Sequence, residues 1–287
     1  MRQFLTIDTG GTKTRIVQFG DISRIDEAHS ASVLREIEIP TPHDKAEYVT
    51  KVAGAVKQNF PEFRESPEEN VVILATRGIV ENDTVTDLPL GWESSPIAQD
   101  LSDALDGTRV LIENDAKLGT LGAFPSDFHG RGLFVTIGTG IGAGLVIDGK
   151  LSRDLARTEC GHMKIERDDK LAEWEELASA TAWFERSGGR SGHDVPADDP
   201  IWRWYAENLA TGMVILLPVL YPNTVVIGGR MAEFFDKYAD DLRRIVAERT
   251  WPPVAQIKFA AVFDPHYATN RGALMFGLRQ MEKSDEN

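Results

Sequence analysis

Short apolar runs alternate along the chain with longer segments in which apolar residues recur at helical spacing. The short runs are typical of buried strands, and the longer segments are typical of helices that bury one face. Strands are predicted at 1–20 (a hairpin), 33–40, 70–75, 109–113, 132–137, 145–147, 224–227 and 257–262. Helices are predicted at 44–60 (capped by Asp44), 96–105, 116–124, 171–187, 201–221, 234–249 and 270–282, with a loop at 188–200.

Two of the predicted hairpins share one pattern. The first runs through an apolar strand into Asp8 and turns at Gly10 and Gly11, and the second turns within the glycine-rich segment 138–144. Because glycine has no Cβ, the backbone at such a turn can come close to a ligand, and its N–H groups suit a phosphate chain. The repetition predicts two similar α/β halves that face a cleft.

Polar residues at these turns carry candidate chemistry. Thr12 and Lys13 follow the first pair of glycines, and Asp8 stands where the shell of a Mg²⁺ ion could use a carboxylate. Gly228 and Gly229 follow another predicted strand, where they suit the close approach of an adenine or a ribose. Ordinary hairpins and strand-to-helix turns show the same short patterns, so purely structural glycines stay an alternative at this point.

Composition narrows the function classes. A chain of 287 residues can form one large or two medium domains, and a net charge of −14 disfavours nucleic acid and anionic membranes as partners. The single cysteine, Cys160, excludes an internal disulfide and a cysteine-based zinc site. No apolar run reaches the ~18 residues of a membrane span, and no signal-peptide segment precedes Asp8. We therefore expect small-molecule partners and a reducing, cytoplasmic setting.

Further polar residues follow the predicted strand at 109–113. Ligands of open α/β sheets bind at the carboxyl ends of strands, which is where Asn114 and Asp115 stand. Asp115 is either the N-cap of the next helix or a carboxylate that accepts a proton from an attacking hydroxyl. His162 and Glu175 have structural interpretations too, the first as a satisfied histidine and the second as an acid favoured at a helix N-terminus.

Six motifs in this order resemble the ROK family of sugar kinases, within the actin/hexokinase/Hsp70 superfamily. The resemblance runs from residue 4 to about residue 280, essentially the whole chain. The motifs are Asp8-x-Gly10-Gly11-Thr12-Lys13, Asn114-Asp115-Ala116, Gly138-Thr139-Gly140-x-Gly142, Glu159-x-Gly161-His162, Glu175-x-x-x-Ser179 and Gly228-Gly229.

The resemblance implies a fold and an activity. The fold is α/β, with two ribonuclease-H-like (actin-like ATPase) domains flanking a cleft. Residues 1–113 would form the small domain, with the final helix 270–282 packing back on it, and residues 114–269 would form the large one. The implied activity is transfer of the γ-phosphoryl group of ATP, with Mg²⁺, to the 6-hydroxyl of glucose or a related hexose. A homodimer is a further expectation.

The resemblance also implies residue roles. Asp115 would be the general base, and Asp8 would meet Mg²⁺, through water. The residues implied to bind the sugar are Asn114, Asp115, Glu159, His162, Glu175 and Gly78. Those implied to bind the nucleotide are Asp8, Gly10, Gly11, Thr12, Lys13, Gly138, Thr139, Gly140, Gly142, Gly228 and Gly229.

Three features depart from the family pattern. The zinc loop that commonly follows Gly161-His162 is absent, because its cysteines are missing and the segment before Glu175 is too short, so no metal is expected at His162. The winged-helix arm of repressor members does not precede the first strand, which argues against a transcriptional role. Arg77-Gly78 stands where the family commonly has Pro-Gly. Arg77 either lines the sugar site or pairs with a surface acid, and the ion pair is the preferred interpretation.

Other activities fit parts of the same pattern. The short, zinc-less form also resembles polyphosphate/ATP glucokinases, although a net charge of −14 disfavours a long polyanion. An N-acetylhexosamine kinase, a catalytically silent sugar sensor and a chaperone-like ATPase are further alternatives. The hexose and the phosphoryl donor stay open, and sugar-dependent consumption of ATP separates these classes.

Overall fold

The computed structural model describes residues 3–20, 22, 24–64, 66, 69–87, 90–152, 158–167 and 169–285. The chain divides into two compact units. One consists of the residues up to Ser126 together with those from Thr269 onward, and the other is Asp127–Ala268. The domain boundary that the sequence suggests after residue 113 stays a prediction.

The first unit contains most of its elements in one stretch of chain. They are β1 (Phe4–Thr9), β2 (Lys13–Phe19), β3 (Val33–Pro40), α1 (Lys45–Asn59), β4 (Val71–Thr76), β5 (Ile79–Glu81), β6 (Thr84–Asp87), β7 (Trp92–Ser95), α2 (Ile97–Ala104), β8 (Arg109–Asn114) and α3 (Asp115–Ala123).

The second unit follows, and the last helix of the chain returns to the first unit. The elements are β9 (Arg131–Ile137), β10 (Ile141–Ile147), β11 (Lys150–Leu151), β12 (Lys164–Arg167), β13 (Lys170–Glu173), α4 (Trp174–Ala178), α5 (Ala180–Arg186), α6 (Pro200–Leu220), β14 (Thr224–Gly228), α7 (Ala239–Arg249), β15 (Lys258–Ala261) and α8 (Ala268–Asp285).

Each unit has a five-stranded sheet, and the two sheets have the same strand order. The order is β3-β2-β1-β4-β8 in the first unit and β11-β10-β9-β14-β15 in the second. In both, the first strand of the unit is central, two antiparallel strands continue on one side, and two parallel strands continue on the other. This confirms the predicted α/β fold built from two similar, ribonuclease-H-like halves.

The first sheet is covered on both faces, which explains why β4 is buried along its whole length. On one face, Leu5, Ile7 and Leu74 belong to a core that includes residues of α1 and α2. On the other face, α8 packs so closely that a Cβ on Gly277 would lie 2.8 Å from Ile73 Cδ1. Parallel strands with two covered faces give continuous apolar runs, which is the pattern that identified β4.

Most predicted elements are confirmed within a few residues, including the cap of α1. Asp44 accepts a hydrogen bond from the Glu47 N–H, as an N-cap should. Three expectations were wrong in detail. The predicted helix 171–187 begins as strand β13 and is then interrupted at Ser179, whose hydroxyl caps α5. The predicted helix 234–249 starts as a 3-10 helix, Arg230–Lys237. The strand at 109–113 is partly exposed rather than buried.

Two small antiparallel sheets were not predicted. One consists of β5, β6 and β7 in the first unit, and the other of β12 and β13 in the second. Their strands are three or four residues long and have many exposed positions, so they lack an apolar run that the sequence could reveal. Among the described residues, no helix combines the length and the apolar character that crossing a bilayer requires.

Candidate active site

The first glycine turn joins β1 to β2 at the carboxyl end of β1. The Gly10 N–H donates to the Lys13 carbonyl at 3.0 Å, and the Thr41 hydroxyl donates to the Gly10 carbonyl at 2.9 Å. A Cβ on Gly11 would lie 2.8 Å from Nη1 of Arg77. The tip of the Arg77 side chain fills this space, so a positively charged group lies against the turn.

Asp8 is a partly buried carboxylate just before this turn. Burial raises the pKa of Asp8 to about 6, and the neighbouring Arg15 only partly offsets this effect. An acid held in this way is ionised at neutral pH at a cost, and a divalent cation or its water shell would offset that cost. These properties fit the predicted Mg²⁺ partner.

Lys13 is directed to a carboxylate of the neighbouring strand. Its Nζ lies 2.8 Å from Glu38 Oε2, and its side chain is 68% exposed. Hydrogen bonds from Lys13 and Arg15 hold the pKa of Glu38 at about 2, so the acid is ionised. The predicted contact of Lys13 with a phosphate stays a prediction, and it requires competition with Glu38.

Asn114 and Asp115 lie where β8 ends and α3 begins. Asn114, not Asp115, is the N-cap, because its Oδ1 accepts from the Lys117 N–H at 3.1 Å. Its Nδ2 donates to the carbonyl of Gly78 at 2.8 Å. Asp115 is the first helical residue, and its Oδ1 accepts from the Ala116 N–H at 2.7 Å. The N-cap alternative for Asp115 is therefore wrong, because Asn114 holds that position.

The second glycine turn joins β9 to β10, and Glu175 lies against it. Oε2 of Glu175 accepts from the Ile141 N–H at 3.2 Å. A Cβ on Gly140 would lie 2.6 Å from this oxygen, and one on Gly161 would lie 2.7 Å from it. The fold therefore brings together three of the motifs, which stand far apart in the sequence, around one carboxylate.

His162 belongs to the same neighbourhood, with a partner that the sequence did not suggest. Its Nδ1 lies 2.7 Å from Glu173 Oε2 and 3.9 Å from Glu175 Oε1. The hydrogen bond to Glu173 raises the pKa of His162 and lowers the pKa of Glu173. Glu173 also pairs with Lys164 at 2.9 Å across the β12–β13 hairpin. Glu159, an exposed residue, precedes the short 3-10 helix that ends at His162.

Ligand-type atoms of His162, Glu173 and Glu175 all lie within 4.8 Å of one another. These three side chains are close enough to bind one cation, but the Lys164 ammonium already neutralises Glu173. The expectation of no metal at His162 stays a prediction.

A cavity of about 600 Å³ opens beside the second glycine turn, wholly within the second unit. Its lining combines the turn with aromatic rings and two arginines: Gly138, Thr139, Phe184, Arg190, Arg230 and Phe234. A flat apolar wall with a glycine turn at its edge suits a nucleoside whose phosphates meet the turn. The sequence missed the aromatic rings and arginines because they come from helices and a loop without a motif.

Gly228 and Gly229 precede the cavity residue Arg230 rather than lining the cavity. A Cβ on Gly228 would lie 2.2 Å from the Phe134 ring, and one on Gly229 would lie 2.6 Å from the Ile137 carbonyl. Gly229 also has a positive φ of 69°. Close packing against β9 thus explains both glycines, as the structural alternative required, and their contact with a nucleotide stays a prediction.

Known proteins that are similar to this chain include sugar kinases. A glucokinase of Streptomyces coelicolor is 25% identical across 88% of this chain and 90% of its own length. Fructokinases also match, over stretches that cover 37% and 55% of two of them. A structure of a ROK family glucokinase from Streptomyces griseus in complex with glucose and AMPPNP has a TM-score of 0.76 at 21% identity, covering 97% of this chain and 99% of that one.

A second similar structure is that of a protein named for two phosphoryl donors. It is an inorganic polyphosphate/ATP-glucomannokinase from Arthrobacter sp. strain KM, with a TM-score of 0.71 at 23% identity, covering 98% of this chain and 100% of that one. At such identities both likenesses establish a shared fold. A profile of the ROK family matches residues 4–276. Because that match includes every predicted motif and both five-stranded sheets, the chain belongs to the ROK family.

Proposed function

We propose that this protein is a sugar kinase that transfers the γ-phosphoryl group of ATP to the 6-hydroxyl of glucose or a closely related hexose. The observation that carries the proposal is the register of the parallel strands β1, β4 and β8 in the first sheet. Asn114 on β8 pairs with Thr76 on β4, which pairs with Thr9 on β1. The base candidate Asp115 therefore follows at the same sheet edge as the turn at Gly10.

In the proposed reaction, Asp115 takes the proton of the attacking hydroxyl. The hydroxyl oxygen bonds to the γ-phosphorus while the bond from that phosphorus to the β–γ bridging oxygen breaks, and ADP leaves. The hydrogen bond from the Ala116 N–H fixes one carboxylate oxygen. Asp8 would hold Mg²⁺ through water, and the bound ion would supply positive charge beside the phosphates.

The remaining proposed contacts orient the sugar. Asn114 uses its Oδ1 on the helix and one Nδ2–H on Gly78, which leaves a second N–H for a hydroxyl. With Nδ1–H of His162 donating to Glu173, Nε2 accepts from another hydroxyl in the neutral ring and Nε2–H donates to one in the protonated ring. Glu159 and Glu175 complete the proposed set. Directional donors and acceptors of this kind suit a neutral polyol.

The donor is proposed to be ATP rather than polyphosphate. The cavity beside Gly138 and Thr139 has an aromatic wall, including Phe184 and Phe234, for which a chain of phosphates has no use. The fold likeness to the polyphosphate/ATP-glucomannokinase keeps polyphosphate as the alternative donor. N-acetylhexosamines are the alternative acceptors.

One assay tests the proposal. Glucose, mannose, fructose and N-acetylglucosamine are crossed with ATP and polyphosphate, and sugar phosphate is measured. We expect the highest kcat/KM for ATP with glucose or a close relative. Failure of every combination, with correctly folded protein, would overturn the proposed function and favour a sugar sensor. ATP hydrolysis without any sugar dependence would favour a chaperone-like ATPase.

A further inference from the structure

Arg77 lies at the edge of the first sheet where the glycine turn at residues 10–12 follows β1. It follows Thr76, the last residue of β4, and Thr76 is in register with Thr9 of β1. Its guanidinium lies against the turn, since a Cβ on Gly11 would be 2.8 Å from Nη1. The sequence favours an ion pair with a surface acid; the ion pair is present, but its acid, Asp87, is buried.

The acid that pairs with Arg77 is buried. Nε of Arg77 lies 2.8 Å from Oδ2 of Asp87, whose side chain is only 1% exposed, whereas that of Arg77 is 32% exposed. The other oxygen of Asp87 accepts from the Leu90 N–H at 3.2 Å. The Arg77–Asp87 contact is an ion pair without hydrogen-bond geometry, since Oδ2 of Asp87 has no hydrogen-bond partner among the described residues. The buried negative charge therefore keeps the guanidinium beside the turn by electrostatic attraction. In the described part of the chain, no acceptor lies on its terminal nitrogens.

Lys13, another cation near this turn, pairs with an exposed acid of β3 rather than with a buried one. Lys13 is a more obvious phosphate ligand by sequence, yet its ammonium lies on Glu38 and its side chain is 68% exposed. Arg77 is instead paired with a buried acid, and its planar fork of N–H donors matches the oxygens of a phosphoryl group better than an ammonium does. Of these two cations, Arg77 is therefore the one prepared for an anion at the turn.

We propose that Arg77 binds the terminal phosphoryl group of the donor, together with the backbone N–H groups of the turn at residues 10–12. The proposal rests on the proposed kinase function and adds a phosphate ligand at a position where the family commonly has proline. In this role Arg77 would also compensate the charge that spreads over the phosphoryl oxygens during transfer. Asp87 is a positioning residue in this arrangement.

A binding experiment isolates the terminal phosphate. The affinities of the wild type and of Arg77→Gln for Mg²⁺–AMPPNP and for Mg²⁺–ADP are measured by isothermal titration calorimetry. Loss of a charge-assisted hydrogen bond to a phosphate should weaken AMPPNP binding by about 10- to 100-fold. ADP, which lacks the terminal group, should bind both proteins within about twofold. Equal losses for both nucleotides, or no loss for either, would overturn the proposal.

Two control variants separate binding from folding. Arg24→Gln removes an exposed arginine of the same unit that pairs with Asp26, and it should leave both affinities unchanged. Arg77→Gln with Asp87→Asn removes both charges of the buried pair, so it does not leave Asp87 ionised and unpaired. This double variant should keep the AMPPNP defect. Recovery of wild-type affinity in it would mean that Arg77 only neutralises Asp87.

Turnover gives a second readout. In Arg77→Gln, kcat/KM for ATP should fall by at least about tenfold while the KM for sugar changes by less than about twofold. A rise in the KM for sugar alone would make Arg77 a sugar ligand and overturn the assignment. The binding experiment needs no turnover, so an inactive wild type that binds AMPPNP would refute the kinase proposal while the Arg77 contact is still measured.

Discussion

The two glycine turns occupy the same place in two sheets of identical strand order, yet their surroundings differ. The turn at Gly10 and Gly11 lies between a partly buried acid, Asp8, and a cation, Arg77, that pairs with a buried acid. The turn at 138–140 lies between an acid that hydrogen-bonds its backbone and a cavity with aromatic walls. A repeated fold thus supplies two similar backbone turns, and side chains from other segments decide what each one can bind.

The difference suggests a division of labour. The first turn is equipped for charge, with groups that suit a metal ion and a phosphoryl group. In the proposed function, the second turn has the aromatic cavity for the nucleoside on one side and Glu175 for the sugar hydroxyls on the other. Each prediction below changes one side of this comparison and asks whether the other side responds.

The largest effect is expected from Asp115→Asn in the first unit. Removing the proposed base should lower kcat by about 10²- to 10⁴-fold, the usual contribution of general base catalysis, while sugar binding changes little. Steady-state kinetics and calorimetry with glucose measure the two quantities. Asp103→Asn, an exposed acid on α2 of the same unit, is the matched control. Full activity of the Asp115 variant would refute the base assignment.

A pair of alanine substitutions tests the two turns directly. A Cβ on Gly11 displaces Arg77, and a Cβ on Gly140 displaces Glu175. Loss of a hydrogen bond to a charged group costs about 1.5–3 kcal/mol, which is about 10- to 100-fold in affinity. We therefore expect Gly11→Ala to raise the KM for ATP and Gly140→Ala to raise the KM for sugar, each by about 10- to 100-fold. If both variants damaged the same substrate equally, the division of labour would be wrong.

Asp8→Asn should weaken nucleotide use and stabilise the fold at neutral pH. The pKa of Asp8 in the folded protein, about 6, is raised above its ordinary value. Its contribution to stability is therefore largest at low pH and is lost as the pH rises through about 6. Asparagine does not ionise, so at pH 8 it should raise the free energy of unfolding by about 1–2 kcal/mol, with little gain at pH 4.

Denaturant unfolding at the two pH values measures this effect in the absence of Mg²⁺. Asp26→Asn, an exposed acid of the first unit, serves as the control and should show no pH-dependent gain. A destabilised Asp8→Asn protein at pH 8 would contradict the cost of ionisation inferred for this carboxylate.

The smallest effect concerns the second unit. Glu173→Gln removes the carboxylate that raises the pKa of His162, so the pKa of this imidazole should fall in the variant. An NMR titration of the His162 ring measures the change. Glu176→Gln, on the neighbouring helix, is the control and should leave the His162 pKa in place. An unchanged pKa in Glu173→Gln would mean that the hydrogen bond to Glu173 does not form in solution.

The sequence was most informative where local rules are strong. The burial of β4 and the cap at Asp44 follow from apolar runs and from capping preference, which act over a few residues. It failed at Ser179, where a segment with a helical pattern is interrupted by a serine that caps the next helix. The short strands β5–β7 were missed because their few residues are held by pairing and not by an apolar pattern.

For the candidate site, the sequence by itself determined the two glycine turns and the motif residues beside them, because turn geometry and backbone space demand particular residue types. Only the tertiary structure decided which side chains meet those turns. Arg77 pairs with a buried acid ten positions later, Asp87, and His162 pairs with Glu173 at the end of the β12–β13 hairpin. Such pairings depend on strand register and burial, which no local pattern encodes.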